Sequence, residues 1–211
     1  MRIRTPAVLV LAAVPLALAA APFPAPLAER ARGEAADPVR WEIDTTHSEL
    51  TFRIRHLVSR VSGSFNQWSG TIVADPADLS GGSVEVTIQT ASIFTNHERR
   101  DAHLRSDDFF DAPNHPTIIF RSTRVEPRGR DLLVHGDLTI RGVTRPVVLE
   151  GRMLEVGGAP GRRRIGFEAE TRIDRMDFGV RWNRGAEGGG VVLGDEVTIR
   201  MAISAVERPA A

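Results

Sequence analysis

The histidines of this chain and their neighbours are the first candidates for chemistry. His97, Asp101 and His103 form an H-x₃-D-x-H spacing, which could hold a metal ion with help from a carboxylate. On a helix, residues 97 and 101 share a face, whereas residue 103 lies well round from both. No further His or carboxylate motif supplies a convincing third ligand. A metal-dependent or hydrolytic enzyme that uses the 97–103 segment is therefore kept as an alternative hypothesis.

A second candidate is the triple Asp44, His47 and Ser48, which supplies the residue types of a hydrolase triad. Ser48 has neither a G-x-S-x-G turn nor a recognisable oxyanion arrangement around it. The glycine-rich stretch 185–190 precedes a strand and does not open a helix, so we interpret it as a loop and not as a phosphate-binding motif. The chain has no cysteine, which excludes thiolate nucleophiles, disulfides and Cys-ligated metals. We therefore predict that the protein is not an enzyme.

Composition limits the partners of the chain. Lys+Arg and Asp+Glu are each 27, so the formal net charge is zero. A neutral chain lacks the electrostatic footprint of a nucleic-acid-binding protein. A length of 211 residues suits one domain with appendages.

The N-terminus predicts export. Arg2 and Arg4 precede an apolar run over residues 6–21, and Ala17-Leu18-Ala19 fits the A-x-A rule for cleavage before Ala20. We expect a signal peptide over 1–19, a Pro- and Ala-rich flexible linker over 20–40, a folded domain over 41–207 and a disordered tail over 208–211. No later segment approaches the roughly 20 apolar residues of a membrane helix. The mature protein is therefore expected in the periplasm or secreted, without stable membrane insertion.

Within the domain the dominant hydrophobic period is two, which is typical of half-buried strands. In the first strand Leu50, Phe52, Ile54 and His56 share one face. Short turns between such runs favour antiparallel neighbours, and eight strands are enough to close a barrel around one small ligand. Periodicity alone does not distinguish this barrel from a sandwich. The predicted strands are 41–59, 61–74, 83–93, 116–126, 131–141, 146–156, 163–174 and 195–207.

One charged segment interrupts the strand pattern. Residues 96–111 predict a short helix, capped by Asn96 and laid over one end of the barrel, with Glu98 in its first turn.

Several ordered motifs carry a resemblance to a known family. They are Asp44–Ser48, Gly63–Phe65, Arg100–Phe110, His115–Ser122, Gly136–Thr144, Ile173–Gly179 and Gly194–Val197. In identity and order they resemble the YceI-like family of polyisoprenoid-binding proteins, over about residues 41–207. The resemblance implies an all-β, eight-stranded antiparallel, lipocalin-like barrel with one short helix in a long connection. It also implies a tunnel for long apolar amphiphiles and no cofactor apart from a bound isoprenoid or other lipid.

A long-chain ligand is held mainly by removing its CH₂ groups from water, so the tunnel must have apolar and aromatic walls. Each predicted lining residue could equally be an ordinary core side chain. We predict that the ligand contacts Phe52, Ile54, His56, Phe65, Trp68, Val86, Ile88, Phe120, Leu138, Phe167, Phe178 and Trp182. The residues predicted to contact a polar head are His47, Asn66 and Arg175.

The functional hypothesis is an exported protein that sequesters or transports an isoprenoid quinone, a polyprenyl phosphate or a fatty amide. A stress-related factor that acts through protein contacts is the other alternative. A homodimer is left open, because apolar strand faces could also meet a partner.

Overall fold

The computed structural model describes residues 39–185 and 192–208. The predicted signal peptide, the linker up to residue 38, residues 186–191 of the glycine-rich loop and residues 209–211 lie outside the described residues. The elements in chain order are β1 (Val39–Ile43), β2 (Glu49–His56), β3 (Ser59–Phe65), β4 (Trp68–Asp75), β5 (Asp78–Gln89), β6 (Ile93–Phe94), α1 (Glu98–Arg105), β7 (Thr117–Arg128), β8 (Asp131–Ile140), β9 (Val143–Gly157), β10 (Arg164–Asp174) and β11 (Leu193–Arg208).

These segments form a closed antiparallel barrel of eight strands. β1 and β2 run in the same direction along β11, so together they make one long interrupted strand. β3 pairs with β2, and β4 pairs with β1, so β3 and β4 also make one interrupted strand. On the other side, β5 pairs with β4, and β6, which follows β5 in the chain, pairs with β3. The remaining strands β7 to β11 pair in sequence, and β11 closes on β1. The fold class predicted from the sequence is confirmed. Because the sheet closes on itself, the fold is a barrel and not a sandwich.

The period of two decides which side chains point inwards. In β8, Leu132, Val134, Leu138 and Ile140 are buried, whereas Asp131 and Asp137 are exposed. The same alternation occurs along β9 and β10, so the inner faces of the strands enclose an apolar interior.

The first predicted strand, 41–59, is interrupted in the structure. A 3-10 turn at Thr45–His47 separates β1 from β2. The Asp44 carboxylate accepts from Thr46 N, and Ser48 Oγ accepts from Ser204 N at 2.9 Å on β11. These local side-chain bonds satisfy backbone groups that the ladder leaves unpaired, so the break is stable although the apolar period continues through it.

The predicted helix is shorter than expected and has a different cap. α1 begins at Glu98 and ends at Arg105, and His97 Nδ1 accepts from Arg100 N. Asn96 does not cap the helix; it has a φ of +59° and forms the bend that precedes the capping residue His97. α1 is anchored through Asp101, which is 4% exposed and accepts from both Thr95 N and Thr95 Oγ1 just after β6.

The two ends of the barrel differ in what covers them. The end that includes the 57–58, 141–142 and 175–178 turns also carries α1 and the turns that follow it; we call it the helix end. The opposite end, where β1 starts and β11 ends, we call the closed end. Within the described ranges, no helix has the length and apolarity required to cross a bilayer.

Candidate ligand-binding site

The interior of the barrel contains a cavity of about 540 Å³. Its walls are mostly the inward apolar side chains of β2, β5, β7, β8, β9, β10 and β11. A volume in this range is typical of pockets that bury a small organic ligand, roughly 300–1,000 Å³. The barrel interior is therefore not packed solid.

The sequence-predicted wall residues lie around this cavity, with one exception. Trp68 is the exception: it is half-buried, packs against the core and pairs with Ile88 without lining the cavity. Contact between the wall residues and a ligand remains a prediction. Those that line the cavity are Phe52, Ile54, His56, Phe65, Val86, Ile88, Phe120, Leu138, Phe167, Phe178 and Trp182.

Of the predicted head-group contacts, only Arg175 lines the cavity. It is 4% exposed, and most of its N–H groups are already used. Its guanidinium donates to the carbonyl oxygens of Gly194, Val180 and Trp182 and to the carboxylate of Asp195, at 2.6–3.0 Å. Arg175 therefore fastens the segment after β10 to the start of β11, which leaves little of it for a ligand.

His47 and Asn66 lie outside the cavity lining. Asn66 is exposed, and its Oδ1 accepts from Ser64 Oγ. His47 Nδ1 lies 2.8 Å from Asp44 Oδ2 on the barrel exterior. Arg164 Nη1 donates to the same carboxylate, and these two partners lower the pKa of Asp44 to about 2.

The Asp44, His47 and Ser48 triple does not form a triad. Ser48 Oγ lies 2.8 Å from Asp44 O and 3.2 Å from Ser204 O, and no hydrogen bond joins it to His47 in the described chain. Its hydroxyl serves the strand break, so it is not positioned as a nucleophile.

The His97, Asp101 and His103 side chains do not converge either. His97 caps α1, Asp101 binds Thr95, and His103 Nε2 lies 2.8 Å from Asp108 Oδ2. In the residues that the structure describes, no three His, Cys, Asp or Glu side chains are grouped so that they could share a metal ion.

An aromatic cluster at the helix end was missed by sequence reasoning. The rings of His103, Phe109 and Trp182 lie 4.8–5.1 Å apart, centroid to centroid. Phe110 meets Phe65 edge-on at 6.1 Å. The Phe109-Phe110 pair follows α1 in sequence, but only the turns that fold residues 106–116 back over the barrel place these rings above the cavity.

Cationic side chains also surround the cavity at this end. Arg99, Arg100 and His103 on α1 line it together with Arg175. Arg99 is exposed, so the cavity reaches the surface beside α1. Arg100 Nε and Nη2 donate to Thr95, which leaves Nη1 for another acceptor. The carboxylate-bearing lining residue in the described ranges is Glu168, which lies on β10 away from the helix.

The width of the cavity depends on small side chains in the wall. Gly151 and Ala169 are cross-strand partners on β9 and β10, and both line the cavity. A larger residue at either position would project into the lumen. The small side chains at these two positions therefore leave space in the lumen.

Sequence comparison identifies curated relatives of this chain. Residues 41–205 match the YceI-like domain. Protein YceI of Escherichia coli O157:H7 is 43% identical over 141 residues, which cover 66% of this chain and 74% of that protein. A UPF0312 protein of Vibrio cholerae is 40% identical over 152 residues, covering 70% and 80% respectively.

Solved structures with the same barrel are also found. The YceI protein of Campylobacter jejuni is 32% identical, with a TM-score of 0.64 over 79% of this chain and 96% of that one. Burkholderia cenocepacia BcnA gives a TM-score of 0.69 at 26% identity, over 77% and 98%. A polyisoprenoid binding domain from Saccharophagus degradans shares the fold at 19% identity and a TM-score of 0.58, over 81% and 99%. With the matched domain, the curated relatives and the barrel in agreement, this chain belongs to the YceI-like family.

Proposed function

We propose that this protein is an exported binding protein, not an enzyme, and that it holds a long-chain isoprenoid amphiphile inside the barrel. The observation that carries the proposal is the apolar cavity of about 540 Å³ enclosed by the strands. The fold neighbour described as a polyisoprenoid binding domain supports the same ligand class.

The hydrocarbon tail is assigned to the interior of the barrel. Each CH₂ group removed from water contributes about 0.8 kcal/mol, so a long chain gains affinity without any specific polar contact. The inward residues of β8 and β10, such as Leu138 and Phe167, provide that surface. Such a wall recognises chain length and thickness and does not select one lipid by hydrogen bonds.

The polar head is assigned to the helix end. Arg99 and Arg100 present guanidinium groups to the cavity there, and His56 and His103 add imidazoles. Guanidinium groups favour phosphate and other anionic or acceptor-rich heads. A polyprenyl phosphate fits this arrangement best, and a quinone head would use the same donors as carbonyl acceptors.

The N-terminal residues support delivery to the cell envelope. The basic start, the apolar run and Ala17-Leu18-Ala19 together have the order of a cleavable export signal. In the envelope, a water-filled space separates lipid sources from lipid users. An apolar cavity inside the barrel would let an isoprenoid be stored in or carried across that space.

The test is native mass spectrometry of the protein purified from its own host, followed by lipid extraction. We expect the intact protein with an added mass, and the extracted compound should be an isoprenoid. Ala169→Phe should fill the lumen and remove the added mass. Ala202→Phe is the matched control, because Ala202 is exposed on the neighbouring strand β11.

Two results would contradict the proposal. Repeated recovery of wild-type protein without any bound lipid would contradict the proposal that the barrel holds an isoprenoid. Unchanged lipid content in Ala169→Phe, with the variant folded, would show that the lipid is bound outside the cavity.

A further inference from the structure

The turn between β2 and β3 exposes two apolar side chains. Leu57 and Val58 form this turn, and they are 46% and 104% exposed. Leu57 has a φ of +51°, which lies in the left-handed backbone region that residues other than glycine and asparagine rarely adopt. Hairpin turns usually carry polar residues or glycine. An exposed Leu-Val pair gains nothing from burial in the barrel itself, so its side chains are available to a surface outside it.

Two arginines flank this apolar tip. Arg55 and Arg60 are cross-strand partners at the base of the turn, and both are exposed. Neither forms an ion pair with a residue in the described ranges. Some arginines elsewhere on the barrel exterior are paired, for example Arg121 with Glu85 and Arg200 with Glu170. The tip therefore combines exposed apolar side chains with two exposed arginines that form no ion pair in the described ranges, although the whole chain is neutral.

The tip is continuous with the cavity. His56 directly precedes Leu57 and lines the cavity, and so does its cross-strand partner Leu193. Leu57 N donates to Val192 O, which holds the tip beside the start of β11. A surface that touches the tip would therefore lie at the helix end, where the cavity has its cations.

We propose that the Leu57–Val58 tip docks on a lipid bilayer that carries anionic head groups. Leu57 and Val58 enter the boundary between head groups and acyl chains, and Arg55 and Arg60 lie against phosphates. This inference rests on the proposed lipid-binding function, because docking would bring the helix end onto the membrane. An isoprenoid could then pass between bilayer and cavity without exposing its chain to water.

The test is flotation of the host-purified protein with vesicles. Wild-type protein should bind vesicles of phosphatidylethanolamine and phosphatidylglycerol and bind phosphatidylcholine vesicles less. The double variant Leu57→Ser/Val58→Ser should lower partitioning by at least about tenfold, since burial of both side chains is lost. Arg55→Ser/Arg60→Ser should remove the preference for anionic vesicles and the sensitivity to salt.

A matched control is available on the outer wall of β9. Val148 and Leu154 are 39% and 45% exposed, so Val148→Ser/Leu154→Ser removes the same kind of surface away from the tip. This control should bind vesicles like the wild type. Thermal unfolding of every variant checks that it is folded.

Lipid content separates this inference from the proposed function. Leu57 and Val58 do not line the cavity, so the folded tip variant should still take up an isoprenoid supplied in detergent while it loses vesicle binding. Equal vesicle binding by the tip variant and the wild type would overturn the docking proposal. So would a wild type that ignores vesicles but self-associates in sedimentation velocity through the same two residues.

Discussion

At the closed end of the barrel Trp41 is completely buried, whereas at the helix end Trp182 is only partly buried and lines the cavity. Trp41 Nε1 donates to Ala74 O, and the Arg163 guanidinium lies 5.3 Å from the centre of the Trp41 ring. Trp182 instead meets the His103 ring edge-on and packs at a tilt against the Phe109 ring. The same residue type thus completes a packed layer at one end and forms the wall of a hollow at the other.

The difference shows how one barrel can be both stable and hollow. The closed end also has a bidentate pair between Arg163 and Glu207, and it buries Ile165 and Ala205 almost completely. None of the residues Trp41, Ile165 and Ala205 lines the cavity. Close packing at this end supplies stability that the hollow part gives up, since an unfilled interior forfeits dispersion contacts.

The largest expected effect comes from the closed end. Trp41→Ala should lower the free energy of unfolding by about 3–5 kcal/mol, because a fully buried aromatic side chain is lost and leaves a void. For a domain of this size we expect a Tm that is lower by roughly 10 °C or more. Thermal and urea unfolding followed by circular dichroism measure it. Trp182→Ala should cost less than half as much, and equal losses would refute the contrast between the ends.

The second effect concerns Arg175 at the helix end. Arg175→Leu should cost about 3 kcal/mol, because the carbonyl oxygens of Val180, Trp182 and Gly194 lose their donor. Urea unfolding gives the loss, and hydrogen exchange should show faster opening of residues 176–185. Asp195→Ala is the control: it removes only the exposed partner and should cost less than about 1 kcal/mol. A large loss in the control would mean that the ion pair, not the carbonyl contacts, dominates.

A third effect links a glycine to the shape of the cavity. A Cβ at Gly63 would lie 2.5 Å from Phe52 Cζ and 2.8 Å from Thr95 Cγ2. Gly63→Ala should therefore push the Phe52 ring into the cavity, cost about 1–3 kcal/mol and reduce bound lipid. Unfolding and native mass spectrometry measure both. Gly81→Ala, where a Cβ meets nothing within 4 Å, should change stability by less than about 0.5 kcal/mol.

The smallest effect is the acid sensitivity of the closed end. Hydrogen bonds from the Arg163 side chain, and from the Arg163 and Gly161 backbone N–H groups, lower the pKa of Glu207 from 4.5 to about 2. A lowered pKa means that this carboxylate stabilises the fold above about pH 4.5, and that the contribution is lost as the pH falls to about 2. Glu207→Gln should be less stable than the wild type near neutral pH, and the gap should close by about pH 2. Urea midpoints across this range test it; a constant gap would rule out the ionised pair as its cause.

The amino-acid sequence alone determined the strand content, the inward faces and the family. An alternation such as Leu132, Val134 and Leu138 is a local property of the chain, and so is the order of the family motifs. This is why nearly all the predicted cavity residues lie on the cavity. Trp68 was misplaced because period two gives a face but not the depth of the lumen at that level.

Tertiary structure decided what no local pattern contains. The break between β1 and β2 depends on Ser204 of β11, which is 156 residues from Ser48. The ring cluster of His103, Phe109 and Trp182 depends on how residues 95–116 fold over the barrel end. The hollow itself depends on the sizes of side chains that meet across it from distant strands. Periodicity fixes the direction of each side chain, but only the closed barrel fixes its neighbours.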